Sequence, residues 1–378
     1  MALVCPLQQL TSEQEDVGQQ RFKRMHVTLS VESSPGFGLW NQHASLLELL
    51  TAAVAVGADA VVLPTYQHRT AFRRDAEWQR APGDELWDAD RIVAYLGGEG
   101  IRLFREGEPL QDLPPDTHHI SYELQCCHGH KHCDVADLAT ALRQSIREHL
   151  AVSTEAPHYS VCVQLSQFFL SLQTPQSCMY LHVGMNIGTF APALVATANR
   201  IISAIREELM HPVFNGLHLR LEDDIAELVE NDGGLEHYAD LYAQALGNLS
   251  FSTNMPMYVA SALFSDEATG GAGEFQRRAL VWLREELAVQ FSSGLLHKEQ
   301  FLTAQELEGF TSEQRAAIDS LVLFESSSFV GYSTSSMSYM VQEYRALLRR
   351  PRSTSFLVAG GHKQLFGGAL AFADEAQC

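Results

Sequence analysis

The sequence predicts an α/β fold in two domains, each built on a parallel sheet. Three observations carry that prediction. The 378 residues suffice for about two hydrophobic cores. Near the N-terminus a strand, a glycine turn, a helix and a second strand follow in order, the signature of a parallel sheet with right-handed crossovers. From Val213 onward, short apolar runs again alternate with helical stretches.

Residues 1–24 are polar and rich in Gln and Glu, which reads as a loose leader. Arg24-Met-His-Val-Thr-Leu-Ser-Val31 is β-branched and apolar, the first strand. Gly36-Phe-Gly38 interrupts it. Leu46, Leu47, Leu49, Leu50 and Val54 mark a helix over Ser45 to Val56, and Ala60-Val-Val-Leu-Pro64 is a second buried strand. Residues 66–90, rich in Arg, Asp and Trp, read as irregular. Residues 134–150 and 191–209 read as helices, the latter with Leu194, Ala198, Ile201, Ile202 and Ile205 at helical spacing. Met210-His-Pro212 breaks that helix and sets the domain boundary near 208–214, dividing the chain into 25–210 and 211–378.

The second series then reads as strand 216–221, a helix around 224–230, helix 235–246, strand 256–263, helix 274–291 and a final strand-helix unit from Ser320 to Arg349. Within that unit, Ser328 to Tyr332 is a short apolar strand. A Gly/Ser turn follows, and then a helix from about Ser338 to Leu348.

Composition narrows the function. Hydrophobic residues at 46% and charged residues at 19% are globular values. A net charge of -20, from 46 acidic and 26 basic residues, disfavours nucleic-acid binding, which needs a basic face. A local basic pocket for a small anion stays compatible with it. Seven cysteines are too sparse for a disulfide framework in a chain this long. No run approaches the roughly 18 apolar residues of a membrane span, and the N-terminus shows no secretion signal.

Three segments carry candidate chemistry. Gly36-Phe-Gly38-Leu-Trp-Asn41 sits between strand and helix as a dinucleotide fingerprint would. Asn41 replaces the third glycine, and the next strand ends without the acidic residue that holds a ribose, so a dehydrogenase is disfavoured. The glycines still allow a ligand to approach the helix N-terminus. His218-Leu-Arg-Leu-Glu-Asp-Asp224 is an apolar strand ending in Arg220 and three carboxylates. Arg220 there suits a phosphate or carboxylate, since ligands in open α/β sheets lie beyond the carboxyl ends of strands. The alternative is a surface arginine paired with Asp223 or Asp224. Ser335 and Ser336 either cap the last helix or hold phosphate and sugar oxygens at its positive end. Two helix starts plus Arg220 suit a nucleotide-sugar diphosphate lying between the domains. Cys126-Cys-His-Gly-His-Lys-His-Cys133 is too tightly spaced for a structural zinc site and reads as a metal-free surface loop.

Taken in order, these segments resemble the O-fucosyltransferase superfamily of glycosyltransferases, particularly its plant and algal branch. Ser34-Pro-Gly-Phe-Gly-Leu-Trp-Asn-Gln42 with Ala60-Val-Val-Leu-Pro64 is similar to the family's Gly-rich opening and "VLP" strand. Leu86-Trp-Asp-Ala-Asp-Arg-Ile92 resembles its "FDvdhFI" segment, and His218 to Asp224 its "HLRfekD" donor strand. Phe301-Leu-Thr, Ala317-Ile-Asp-Ser-Leu-Val and Phe329-Val-Gly to Ser336 resemble the C-terminal donor block. The ordered set covers residues 25–350.

The resemblance implies two Rossmann-like domains facing a cleft, the glycosyltransferase B type. It implies an inverting transfer of fucose from GDP-fucose to a protein or glycan hydroxyl, with no cofactor and no metal. Carried over to this sequence, Arg220 is the catalytic residue, gripping the donor diphosphate and stabilising the leaving group's charge. Gly36, Gly38, Asn41, His218, Arg220, Asp224, Asp319, Ser335 and Ser336 bind the donor, Asn41 facing the sugar, Asp319 the base or ribose, and the serines the phosphates.

Phe37 stands where some members carry an arginine, and the glycine turn has no carboxylate where some members carry the base. The resemblance implies the secretory lumen, whereas the visible N-terminus implies the cytoplasm if the chain is complete. Two rival readings remain: a related transferase using another nucleotide sugar such as UDP-rhamnose, and a catalytically silent nucleotide-sugar or glycan-binding protein.

Overall fold

The structure, a computed structural model, describes residues 25–31, 38–70, 77–105, 118–122, 144, 159–165, 183–186 and 190–358, apart from 209, 211, 223–224, 232, 249–253, 269–272, 289–290, 292–293 and 334. The leader, Gly36, Phe37, the Cys126–Cys133 segment, most of the 134–150 helix and Asp224 lie outside the described residues.

In the first half, strand β1 (Met25–Val31) leads into helix α1 (Leu39–Val56), then β2 (Ala60–Leu63). A hairpin of β3 (Tyr66–Arg69) and β4 (Trp78–Ala81) follows, with helix α2 (Ala89–Gly98), β5 (Arg102–Arg105), β6 (His118–Tyr122), β7 (Tyr159–Leu165) and helix α3 (Pro192–Ser203). The strands join in the order β5-β2-β1-β7-β6, every neighbour parallel.

In the second half come β8 (Asn215–His218), α4 (Ala226–Asn231), α5 (Gly234–Asn248), β9 (Met257–Ala260), α6 (Leu263–Ala268) and α7 (Glu274–Trp282). They are followed by β10 (Leu295–Leu296), α8 (Ala304–Glu308), α9 (Ser312–Phe324), β11 (Phe329–Tyr332), α10 (Ser336–Leu347) and β12 (Ser355–Val358). Their order is β10-β9-β8-β11-β12, again parallel throughout. The α/β class with parallel sheets is therefore as the sequence predicted. The first sheet draws its strands from before Met210 and the second from after it. Met210 itself takes a left-handed φ of 57° at the turn.

Helix α1 buries nearly every residue from Leu39 to Ala53, polar Gln42, His43, Glu48 and Thr51 included. A helix hydrophobic on one stripe packs on one layer; a helix buried all round is held from several sides. Here α1 packs on β1 and β2 and also on α9 and α10. Trp40, Phe190, Phe324 and Tyr344 meet ring against ring at that junction.

Several sequence boundaries are corrected. Helix α1 starts at Leu39, six residues before Ser45, because Gly38 accepts the N–H groups of Asn41 and Gln42 at 3.1 and 3.3 Å. Within 66–90, the described residues 66–70 and 77–90 are not irregular. They hold the β3–β4 hairpin and the start of α2, whose N-cap Asp88 accepts the Arg91 N–H at 3.0 Å. The strand expected over 216–221 ends at His218: beyond it, Tyr242 and Tyr238 hydroxyls take the carbonyls of His218 and Arg220. The strand expected over 256–263 ends at Ala260, where Ser261 Oγ accepts the Leu263 N–H and turns the chain into α6.

Ser320 does not open a strand. It lies inside α9, which a Thr311–Gln314 capping box starts, and the strand begins at Phe329. Helix α7 gives way to a wider π-turn over Leu283–Leu287, and α3 to one over Ala204–Glu208. Among the described residues no helix is long and apolar enough to cross a membrane.

Candidate active site

Parallel strands end on one edge, and the C-terminal residues of β8, β9 and β11 line a cavity of about 330 Å³. The other wall comes from the first half of the chain: Gly38, Leu39, Trp40 and Asn41 at the start of α1, with Arg69 and Trp78 of the hairpin. Of the nine predicted donor residues, the structure brings seven to this cavity: Gly38, Asn41, His218, Arg220, Asp319, Ser335 and Ser336. Gly36 and Asp224 lie outside the described residues.

Among the described residues three helix starts line the cavity, those of α1, α9 and α10; that of α9 is capped by Thr311 and carries Glu313, which leaves α1 and α10 without a side-chain cap. The first N–H groups of a helix have no intrahelical acceptor, so such an end attracts anions. Ser335 is the N-cap of α10, but its side chain makes no capping hydrogen bond. The capping role that the sequence allowed for it is not used. Ser336 is the first residue of the helix and lines the same wall.

Arg220 sits two residues past the end of β8, with its side chain 23% exposed. Its Nη1 lies 2.7 Å from Glu222 Oε2, so its described carboxylate partner is the first of the three acidic residues. His218 is buried, with Nδ1 2.6 Å from Ser338 Oγ. Burial, with the Arg220 charge adding to it, lowers its imidazole to about 3 and keeps it neutral. Ser338 Oγ also accepts the Tyr332 N–H at 2.8 Å, tying β8, β11 and α10 together behind the cavity. Asn41 Oδ1 is buried without a hydrogen-bond partner among the described residues. A buried carbonyl oxygen left unpaired is costly unless a ligand meets it.

Asp319 is buried at the cavity floor. Lys298 Nζ donates to its Oδ2 at 2.8 Å and Tyr258 to its Oδ1 at 2.7 Å. Burial raises its carboxyl to about 6, against the pull of Lys298. Glu299 lies 3.1 Å from the same ammonium, which with bonds from His297 and Ser265 holds it well below the usual carboxylate range. Glu313 receives hydrogen bonds from Ser312 Oγ and the Arg69 N–H, and burial lifts it to about 7. The Arg69 guanidinium lies over the Trp78 ring, 5.5 Å from its centre.

The lining thus sets Arg69, Arg220, Lys298 and Arg315 against Glu222, Glu313 and Asp319, inside a strongly acidic chain. Of these the sequence singled out only Arg220 and Asp319. Lys298 follows His297 in a short 3₁₀ turn and Glu313 sits in the first turn of α9. Neither stretch has a pattern that separates a cavity residue from a surface one. The Thr311–Gln314 capping box was readable and would have placed Glu313 at a helix start.

No curated protein sequence matches the chain. The crystal structure of POFUT1 in complex with GDP-fucose superposes with a TM-score of 0.52 at 14% identity, covering 89% of this chain and 98% of that one. POFUT1 in complex with GDP gives 0.52 at 13%, covering 89% and 99%. At such identities the likeness is one of fold, the glycosyltransferase B type that the sequence resemblance implied. Residues 34–348 match the sequence profile of the GDP-fucose protein O-fucosyltransferases. That span runs from the glycine turn through α10 and takes in every residue of the cavity wall, and the chain belongs to the GDP-fucose protein O-fucosyltransferase family.

Proposed function

We propose that this chain transfers fucose from GDP-fucose to a protein or glycan hydroxyl, with inversion at the anomeric carbon and without a metal ion. The observation that carries this reading is the convergence of Arg220 with the N-termini of α1 and α10 on one cavity. The two sheets are taken as two domains, 25–210 and 211–378, with the donor between them.

In this reading the diphosphate lies against Arg220, Ser335 and Ser336, where helix N–H groups and the guanidinium meet negative charge. As the bond from sugar to phosphate breaks, charge builds on the departing diphosphate, and Arg220 stabilises it. Asn41, with its unpaired Oδ1, faces the sugar. Asp319 and Lys298 meet the base or ribose, and Gly36, Gly38, His218 and Asp224 complete the donor site. Family membership and the GDP-fucose seen in the POFUT1 structure support the choice of donor.

Thermal denaturation with GDP, GDP-fucose, UDP and UDP sugars tests it. A ligand at 100 times its dissociation constant stabilises by about 2.7 kcal/mol, so GDP and GDP-fucose should raise the melting temperature and UDP sugars should not. Preference for UDP would refute the donor assignment. Binding of GDP-fucose without any turnover would instead mark a silent binding protein.

A further inference from the structure

Arg220 is held from behind. Past the end of β8 the side chains still alternate: His218, Arg220 and Glu222 line the cavity, while Leu219 and Leu221 pack in an apolar cluster with Leu217, Val259 and Val330. Glu222 is only 4% exposed. Its Oε1 accepts the Ala262 N–H at 3.3 Å, and its Oε2 engages Arg220 Nη1 at 2.7 Å. The backbone is fixed as well, because the Tyr238 hydroxyl donates to the Arg220 carbonyl at 3.1 Å.

We propose that Glu222 is a positioning residue for the reaction: anchored to the turn between β9 and α6, it aims the Arg220 guanidinium at the donor diphosphate. This rests on the reading of Arg220 as the diphosphate ligand. A guanidinium has five donors in a rigid fork, so one side can engage a carboxylate while another meets an anion. An arginine on a flexible stem gives up about 2 kcal/mol of rotamer freedom when it is fixed. Glu222 meets part of that cost before the donor arrives. A carboxylate at this spot also tempers the charge of Arg220 toward other anions, so orientation rather than attraction is what it contributes.

A double-mutant cycle tests this, read out by calorimetric GDP affinity and by GDP release from GDP-fucose. Glu222→Ala, folded by circular dichroism, should lower turnover about tenfold or more, with KM changing much less. Glu222→Gln keeps one acceptor oxygen and sets an NH2 donor at the other position, so it can serve Arg220 or the Ala262 N–H but not both, and should recover only part of the loss. In an Arg220→Ala background, Glu222→Ala should have no further effect, since there is no guanidinium left to aim. Equal losses in both backgrounds, or wild-type turnover in Glu222→Ala, would overturn the proposal. If Glu222→Ala does not fold, Glu222→Gln takes its place: its partial loss should vanish in the Arg220→Ala background, and an equal loss in both backgrounds would overturn the proposal. Should Arg220→Ala alone leave GDP affinity and turnover unchanged, the donor-site reading itself fails, a distinct outcome.

Discussion

Nε1 of Trp40 donates to Oγ of Ser320 at 3.0 Å, across 280 residues of sequence. The bond joins the first turn of α1 to the middle of α9, and His43 Nε2 pairs with the Tyr344 hydroxyl at 2.8 Å to join α1 to α10. Both walls of the cavity are therefore registered by buried polar contacts as well as by apolar packing. Such pairs specify geometry because either partner alone would be left unsatisfied.

Ser320→Ala should consequently destabilise the protein by about 1–3 kcal/mol, the cost of leaving a buried donor unpaired. Urea denaturation measures it. A variant as stable as wild type would show that the indole finds another acceptor.

Gly331 sits where a Cβ would fall 2.5 Å from Ser338 Oγ and 2.6 Å from its Cβ. Ser338 is fully buried and holds His218, so it has nowhere to yield without moving α10. Gly331→Ala should cost roughly 1–3 kcal/mol of stability and weaken GDP binding as well. Melting curves and calorimetry on the same preparation check both. Unchanged GDP affinity in a destabilised variant would mean that this wall does not contact the donor.

Lys298 is enclosed by Asp319 and Glu299. Removing its charge leaves two buried carboxylates facing each other. Lys298→Met should therefore lose about 3–5 kcal/mol, far more than an isosteric apolar change would suggest. Chemical denaturation at neutral pH is the check, and a loss below about 1 kcal/mol would place the triad effectively in solvent.

Glu313 gives a pH signature. Its carboxyl titrates near 7 in the folded chain against a usual 4.5, so the native state binds the proton more tightly. The associated stability is present below about pH 4.5 and is lost as pH rises through 7. Buried neutral His43 and His218, both lowered to about 3, act oppositely and lose stability as pH falls below their usual 6.5. Asp319, raised to about 6, slopes in the same direction as Glu313, so Glu313→Gln should leave the histidine and Asp319 contributions and remove only its own. Its stability relative to wild type should rise between pH 5 and 8, by on the order of 3 kcal/mol. Urea midpoints across that range measure it, and a constant difference would refute the shift.

The fold was legible where strands are apolar and flanked by glycine. Thus β1, β2, β8 and β11 were found nearly in place, together with α3, α5 and α10. It was illegible where a short strand carries charge at both ends, as in Arg102-Leu-Phe-Arg105, or where a helix is buried on all sides. Trp40-Asn-Gln-His43 shows no amphipathic period because Trp40, Gln42 and His43 are all buried, on different faces of the turn. Seven of the nine candidate donor residues line one cavity: six sit at or just beyond a strand end or helix start, where the sequence pattern is readable, and Asp319 lies in the middle of α9. Glu222 stood in the quoted motif without an assigned task, and Lys298 and Glu313 were silent because only the tertiary fold turns them inward.

In the proposed reading Arg220 grips the donor diphosphate. If Arg220 binds the diphosphate, Arg220→Ala should remove a charge-assisted contact, commonly worth a few kcal/mol, or about two orders of magnitude in turnover. Arg220→Lys should rescue poorly, because an ammonium cannot reproduce the fork. The decisive measurement is GDP-fucose turnover by the purified variants, with circular dichroism as the folding control. Folded Arg220→Ala should lose turnover about a hundredfold. Folded Arg220→Ala with wild-type donor affinity and turnover would contradict it.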